Sequence, residues 1–251
     1  MAINYNELPG HGDLQTVFIA GRAAEYLKFG DLVTHIIELY KSTSIITDYE
    51  NAVASIPAWE TKHFPSVWAF RSFRILLYSL VRDMKPGIVV ETGVLHGMTS
   101  GFILEALAQN GSGSLTSIDL PSLARTGPSN KDGYNDTLPE NRKTGWLVPS
   151  RLKDRWDLRL GASIDVLPKV LESCSSIDMF IHDSEHSYET MWFELTAAWG
   201  SLREGGVLIC DNVEANTAFY DFCRRVDRMP LVLPTPTEDR LHAPRFAIIA
   251  R

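Results

Sequence analysis

The sequence predicts an α/β fold, in which a mostly parallel sheet carries helices on both faces and follows a helical segment. From Gly87 onward, short apolar runs typical of strands alternate with stretches of helical periodicity. Before that point the chain shows helical patterns and loops. We therefore divide it into an N-terminal helical segment, residues 1–85, and a larger α/β domain, residues 86–251.

Two helices are predicted in the N-terminal segment. Apolar residues recur at helical spacing through residues 32–40 and again through residues 67–82. The stretch between them, residues 55–65, is rich in aromatic residues and prolines. We expect this segment to be either a cover over the α/β domain or a surface through which the protein forms a homo-oligomer.

The α/β domain shows strand-like and helix-like patterns in alternation. The predicted strands cover residues 88–91, 115–119, 158–160, 177–181, 207–210, 231–233 and 246–249. The predicted helices cover residues 98–108, 164–171, 188–202 and 217–226. A long polar insertion, residues 121–150, interrupts the alternation and is interpreted as a lid or a disordered loop.

Composition excludes several classes of protein. The chain has 251 residues, of which 45% are hydrophobic, and a formal net charge of −7, which argues against a nucleic-acid partner. Neither a secretory leader nor an apolar run of the ~18 residues that span a membrane is recognisable. The three cysteines, Cys174, Cys210 and Cys223, are far apart, which favours a reduced, cytoplasmic protein.

Polar residues follow the ends of four predicted strands. They are Glu91, Asp119, Asp183 and the pair Asp211-Asn212. One acid after a strand is usually a helix cap or a solvated turn. Ligands of open parallel sheets bind beyond the carboxyl ends of the strands, so four such ends predict one common crevice.

The first strand leads into a glycine turn. Gly93 and Gly97 lie between Glu91 and a helix that starts at Met98. Glycine permits a positive φ and a close approach, and the free N–H groups of the helix start suit an anion. This pattern predicts a binding site for a nucleotide-like cofactor.

The spacing Glu91-x-Gly93-x-x-x-Gly97 resembles motif I of the class I S-adenosylmethionine (SAM) methyltransferases. The resemblance continues through segments 117–119, 160–163, 177–183 and 202–207, so that it covers residues 86–251. It implies a Rossmann-like sheet of seven strands whose last strand is antiparallel.

The resemblance also implies a set of cofactor-binding residues. They are Glu91, Gly93, Gly97, Thr99, Ser100, Asp119, Ala162, Ser163 and Asp183. Asp119 would hold the ribose hydroxyls, and Ala162 and Ser163 would border the adenine. Thr99 and Ser100 would offer donors to the SAM carboxylate, although ordinary helix capping explains them nearly as well.

A metal site is implied by a narrower resemblance, to the catechol O-methyltransferase type. These enzymes place an Asp after strand four and an Asp-Asn pair after strand five, as Asp183, Asp211 and Asn212 stand here. Such oxygen ligands suit a divalent metal, above all Mg²⁺. The catechol-type enzymes carry a lysine three residues after the first Asp. Here that position is His186, which resembles the macrocin O-methyltransferase group. His186 is then either the catalytic base or only a helix cap.

The expected function is methyl transfer from SAM to a hydroxyl of a small molecule such as a sugar, a glycoside or another natural product. Aromatic residues of two segments are candidates for the acceptor pocket. They are Trp59, His63, Phe64, Trp68, Tyr134 and Trp146.

Four alternatives stay open at the level of the sequence. One is a SAM methyltransferase that needs no metal, and another is a protein that keeps the fold without catalysis. A nicotinamide-dependent oxidoreductase fits poorly, because the third glycine of its fingerprint is missing. Residues 182–186 match the protease pattern H-x-x-E-H, but that pattern requires a helix where a strand is predicted.

Overall fold

The computed structural model describes residues 12–56, 71–121, 138, 141–234 and 245–251 of the chain. Its helices are α1 (Gly12–Leu27), α2 (Leu32–Ser42), α3 (Ile45–Ala54), α4 (Arg71–Met84), α5 (Met98–Asn110), α6 (Ser163–Glu172), α7 (Tyr188–Ser201) and α8 (Ala218–Val226). Its strands are β1 (Ile88–Thr92), β2 (Ser114–Asp119), β3 (Trp156–Leu160), β4 (Ile177–His182), β5 (Leu202–Cys210), β6 (Leu231–Pro234) and β7 (Arg245–Ala250). A 3₁₀ helix, Ser150–Arg155, precedes β3.

The strands form one seven-stranded sheet in the order β3-β2-β1-β4-β5-β7-β6. Strands β1 to β5 pair in parallel, and β7 runs antiparallel to both β5 and β6. The predicted fold, including its antiparallel last strand, is thereby confirmed. The chain order reverses between β1 and β4, so the carboxyl ends of these two neighbouring strands flank the crevice where such sheets bind ligands.

Apolar side chains cover both faces of the sheet. Alternate residues of a strand point to opposite faces, and here Val89, Met179 and Ile181 join one buried cluster while Val90 and Phe180 join another. The first cluster includes residues of α1, α2, α4 and α5, and the second includes residues of α6, α7 and α8. The sheet is therefore the middle of three layers.

The N-terminal helices belong to the first of these core clusters. Ile19 of α1, Ile36 of α2 and Leu76 of α4 are buried together with Leu104 of α5. This packing agrees with a cover over the α/β domain. The division at residue 85 and the use of these helices in a homo-oligomer stay predictions.

Some elements differ from the sequence-based predictions. Helices α1 and α3 were not predicted, and β5 begins at Leu202, before the glycine pair that we expected to precede it. The aromatic candidates Trp59, His63, Phe64, Trp68 and Tyr134 lie outside the described residues, as does most of the insertion before residue 141.

Two expectations from composition can be compared with the structure. No helix within the described ranges is both long and apolar enough to span a bilayer. Cys174, Cys210 and Cys223 are free thiols, and Cys210 is fully buried in the core.

Candidate active site

The turn between β1 and α5 needs both of its glycines. Gly93 has φ 87°, and a Cβ there would lie 1.8 Å from the backbone oxygen of Asp183. Gly97 has φ 83°, and a Cβ there would lie 2.7 Å from Cγ2 of Val148. The space that these glycines leave is therefore used by the protein itself, by the end of β4 on one side and by the segment before β3 on the other.

Residues 141–149 brace the outer side of this turn. The N–H of Gly145 donates to the backbone oxygen of Leu95 at 2.8 Å, and the N–H of Leu147 donates to the backbone oxygen of His96 at 3.0 Å. Trp146 Nε1 donates to His96 Nδ1 at 3.0 Å. Because the indole can only donate, Nδ1 must accept, and His96 is held as the neutral tautomer with its proton on Nε2. Trp146, a candidate for the acceptor pocket, thus supports the glycine turn.

Asp119, at the end of β2, is the anchor of the same turn. Its Oδ2 accepts the N–H groups of Val94 and Leu95 at 3.1 and 2.7 Å, and its Oδ1 accepts that of Leu120 at 2.7 Å. The carboxylate is nearly buried. These three bonds fix both the turn and the orientation of the acid predicted to hold the ribose.

Glu91, at the end of β1, is fully buried beneath the turn. Its Oε2 accepts the hydroxyls of Ser100 and Ser117 at 2.6 and 2.7 Å. Burial raises the pKa of Glu91 to about 7, against the effect of both hydroxyls. Ser100 therefore directs its hydroxyl at Glu91, while Thr99 lies beside it in the first turn of α5, also buried.

Asp183 and Asp211 form an acid pair. They follow the adjacent strands β4 and β5, and the N–H of Asp211 donates to the oxygen of His182 at 2.9 Å. Burial, the charge of Asp211 and a hydrogen bond between the two side chains raise the pKa of Asp183 well above its usual value. Two carboxyl groups this close cannot both be ionised without a nearby positive charge.

His186 lies beside the acid pair. Burial raises the pKa of Asp211, and the nearby His186 opposes this effect by favouring the ionised carboxylate. The backbone oxygen of His186 accepts Asn216 Nδ2 at 2.8 Å, and its ring meets that of His182 edge-on with centroids 5.5 Å apart. The structure thus brings together the predicted base and two of the predicted metal ligands.

Asn212, the third predicted ligand, follows directly in a left-handed conformation with φ 49°. Its Nδ2 donates to Glu214 Oε1 at 3.3 Å. Among the described residues, no three His, Cys, Asp or Glu side chains are grouped as a metal site.

A buried glutamate that the sequence did not reveal fixes the end of β4 from the opposite face. Glu194 of α7 accepts the Thr92 hydroxyl at 2.5 Å and the Ser184 hydroxyl at 2.8 Å, and its Oε2 lies 2.6 Å from His182 Nδ1. Ser163 adds a fourth hydrogen bond. Burial raises the pKa of Glu194, but its partners, His182 above all, lower it below the ordinary value. Ser163, a predicted adenine neighbour, therefore also ties α6 to α7.

A second unpredicted residue, Arg74 of α4, is buried near the acid pair, and its charge interacts with Asp183 and Asp211. Tyr49 of α3 lies close to Arg74, and its hydroxyl donates to the oxygens of Gly97 and Met98 at 3.1 and 3.0 Å. The N-terminal helices thus reach both the glycine turn and the acid pair.

Two further predictions concern segments on either side of β4. Ala162 is the N-terminal cap of α6, at the carboxyl end of β3.

His182 lies in β4, and α7 begins only at Tyr188 with Ser187 as its cap. The helical pairing of histidines that the H-x-x-E-H protease pattern requires is therefore not formed by residues 182–186.

Comparison with known proteins agrees with this geometry. Residues 90–213 match the family model described as "Methyltransferase domain". The match includes the glycine turn, Asp119, the acid pair and His186. Residues 90–213 therefore carry a methyltransferase domain, and the sheet has the Rossmann-like, mostly parallel arrangement of the methyltransferase fold. No curated protein matches the sequence.

Solved structures with the same fold include several methyltransferases. An O-methyltransferase from Bacillus cereus in complex with SAH has a TM-score of 0.54 at 16% identity, covering 87% of this chain and 97% of its own. TomG, an O-methyltransferase from Streptomyces achromogenes involved in tomaymycin synthesis and solved with SAM, has a TM-score of 0.51 at 18% identity, covering 85% and 98%. The SAH-bound methyltransferase PaMTH1 from Podospora anserina has a TM-score of 0.52 at 12% identity, covering 100% and 99%.

Proposed function

We propose that the protein transfers a methyl group from SAM to a hydroxyl oxygen of a small molecule. The observation that carries this proposal is the Asp183–Asp211 pair with His186 beside it, next to the glycine turn. The acceptor that we propose is a sugar, a glycoside or another natural product, because residues 183–188 resemble the macrocin-type enzymes. We place this reaction in the cytoplasm.

The glycine turn and the ends of β1 to β3 form the proposed SAM site. Asp119 is already held by three backbone N–H groups, so it would meet the ribose hydroxyls as an oriented carboxylate. Ala162 and Ser163 lie at the end of β3, where the adenine is expected. Glu91 provides buried support beneath the turn, and the N–H groups at the start of α5 suit the SAM carboxylate.

We propose that Asp183, Asp211 and Asn212 hold a divalent metal, Mg²⁺ by preference. Their donors are hard oxygens, and Asp211 Oδ1 is buried without a hydrogen-bond partner among the described residues, as expected of an atom that awaits a cation. Such an ion, when bound, supplies a positive charge that lowers the pKa of the acceptor hydroxyl.

In the proposed reaction a ring nitrogen of His186 takes the proton of the acceptor hydroxyl, and the oxygen attacks the methyl group of SAM in line. The new O–C bond forms as the C–S bond breaks, and neutral S-adenosylhomocysteine leaves with the electron pair of that bond. The carboxylate of Asp211 stabilises the positive charge that His186 then acquires. Most of the acceleration would come from holding acceptor and methyl donor in contact.

Turnover of labelled SAM with a panel of hydroxyl acceptors tests the function directly. Calorimetry should detect binding of SAM and of S-adenosylhomocysteine, with no heat from NAD. Chelation should abolish turnover but spare SAM binding, and Mg²⁺ should restore activity. Full turnover in excess EDTA would instead favour the metal-independent alternative.

His186→Ala should lower kcat by about 10²–10⁴-fold while SAM affinity stays near that of the parent. The parent's kcat should fall at acidic pH with one ionisation that the variant lacks, because a base must be unprotonated. Glu185→Gln, a change in the same loop, is the matched control and should keep the parent's profile. If His186→Ala retains both kcat and the acid limb of the pH profile, His186 is not the base. The structure already excludes the helix-cap alternative, because Ser187 is the cap of α7.

A further inference from the structure

Arg74 is buried where a positive charge is difficult to place. It lies on α4 between Phe73 and Ile75, both of which are core residues, and only 8% of it is exposed. Arginine is almost never buried without a negative partner, because a desolvated charge is costly. Its partners should therefore lie in the layer against which α4 packs.

The acid pair faces that same layer. Ile181 and Ile209 point into the core cluster that contains Phe73, and side chains repeat their direction every second residue along a strand. Asp183 and Asp211 follow directly after these two strands, two residues beyond Ile181 and Ile209. The interaction of Arg74 with both carboxylates agrees with this placement.

We propose that Arg74 is the resident counter-cation of the Asp183–Asp211 pair and weakens the affinity of the pair for a divalent ion. In the absence of metal, its guanidinium balances one of the two carboxylate charges. When a divalent ion approaches, the same guanidinium repels it and competes for the carboxylate oxygens. This inference rests on the metal site of the proposed function.

Removing the guanidinium should therefore tighten metal binding. Two unit charges inside a protein still interact appreciably at separations of several ångströms, and a divalent ion doubles the effect. Arg74→Met keeps a long side chain with good helix propensity but carries no charge. We expect Arg74→Met to bind Mn²⁺ at least about tenfold more tightly than the parent.

The experiment is a titration of metal-stripped, full-length protein with Mn²⁺ at about pH 8, chosen because a higher pH favours ionised carboxylates. Free Mn²⁺ is followed by electron paramagnetic resonance. Arg74→Lys retains the charge and should bind Mn²⁺ within about threefold of the parent. Arg82→Met removes an arginine on the same helix that pairs with Glu38 at 2.7 Å, and it should leave Mn²⁺ affinity unchanged. Arg74→Gln is a second neutral variant in case Arg74→Met does not fold.

Equal or weaker Mn²⁺ binding by folded Arg74→Met or Arg74→Gln overturns the proposal. The proposal is also overturned if Arg82→Met increases Mn²⁺ affinity as much as Arg74→Met does, because that would indicate a general loosening of α4. If neither the parent nor any variant binds Mn²⁺, the inference fails together with the proposed metal site. SAM calorimetry on the metal-stripped parent separates that result from a failure of the methyltransferase function, because the proposed SAM site does not include the metal.

Discussion

Burial dominates the ionisation of Glu91, a single residue at the centre of the site. The carboxyl group is fully buried, and its Oε1 has no hydrogen-bond partner among the described residues. Its pKa of about 7 in the folded protein lies above the value of about 4.3 expected for an unfolded chain. Between these two values the folded state holds a proton that the unfolded state has lost.

The sign of the resulting pH dependence follows from linkage. Stability falls with rising pH wherever the folded state binds more protons, so Glu91 should lower the free energy of unfolding between about pH 4.3 and pH 7. Glu91→Gln removes this titration but keeps an acceptor for Ser100 and Ser117. Relative to the parent, the variant should gain up to about 3 kcal/mol between pH 5 and pH 8, measured by urea unfolding without SAM.

Glu189→Gln, the same chemical change at an exposed position of α7, serves as the control. Glu189→Gln should change the free energy of unfolding by the same small amount at about pH 5 and about pH 8. A constant difference between Glu91→Gln and the parent across this range would mean that Glu91 ionises normally.

At the residue scale, the sequence predicted the acidic residues at the strand ends but not the buried residues that interact with them. Glu91, Asp119 and Asp183 could be placed because strand ends share one edge of a parallel sheet. Glu194 and Arg74 belong to helices whose orientation toward the sheet is a tertiary property. The sequence of α4 mixes apolar residues with Ser72, Arg74, Ser79 and Arg82, as in a helix with one solvated face. No local signal therefore marked Arg74 as buried.

At the scale of elements, helices α3 and α5 pack closely against each other at Gly101. A Cβ on Gly101 would lie 1.6 Å from Tyr49 Oη and 3.4 Å from Ile45 Cδ1. The helices can approach this closely only because Gly101 has no side chain. In return, the Tyr49 hydroxyl reaches the backbone oxygens at the start of α5.

Gly101→Ala should therefore destabilise the protein by about 1–3 kcal/mol, even though alanine favours a helix. Tyr49→Phe should cost about 1–2 kcal/mol through its lost hydrogen bond. Because the clash involves the hydroxyl, the double variant should be more stable than the sum of the single changes predicts, by about 1 kcal/mol. Urea unfolding of the four proteins measures this coupling.

Gly21→Ala in α1 is the matched control, since a Cβ there meets nothing within 4 Å. It should stabilise the protein by about 0.5–1 kcal/mol. Strict additivity in the Gly101 and Tyr49 cycle would show that α3 moves away freely from α5.

The elements with strong periodicity were predicted well, and the others were not. All seven strands were found, most of them because apolar runs bounded by glycine or polar residues are clear signals. The exception is β3, which is largely exposed and was found from the short pattern Leu158-Arg159-Leu160. Helix α3 begins with Ile45-Ile46-Thr47, whose β-branched side chains disfavour a helix, and only Ile45 and Tyr49 of it are buried. Its helical state therefore depends on packing against α5, which the local sequence does not encode.

At the scale of the whole molecule, the N-terminal helices and the sheet share one core. Residues of α1, α2 and α4 complete the layer that covers α5 and one face of the sheet. A division of the chain at residue 85 separates sequence patterns, but it does not separate two cores. Stability should accordingly be a property of both parts together.

A fragment of residues 86–251 should lack a cooperative thermal transition, because the buried face of α5 would be exposed to water. Circular dichroism and dye binding measure this loss of packing. Co-expression with residues 1–85 as a separate chain should restore the transition and SAM binding. Cooperative unfolding and SAM binding by the fragment alone would establish an independent methyltransferase domain.

The hydrogen bond from Trp146 to His96 makes the fluorescence of Trp146 a probe of the glycine turn. The indole N–H donates directly to a residue of the glycine turn, and the guanidinium of Arg142 lies 4.7 Å from the ring centre. Indole emission depends on its hydrogen bond and on nearby charges, and here these come from His96 of the glycine turn and from Arg142 of the segment that braces it. The chain has six tryptophans, so the signal of Trp146 is the difference in emission between the parent and Trp146→Phe. That difference should change, without any label, when SAM binds at the turn.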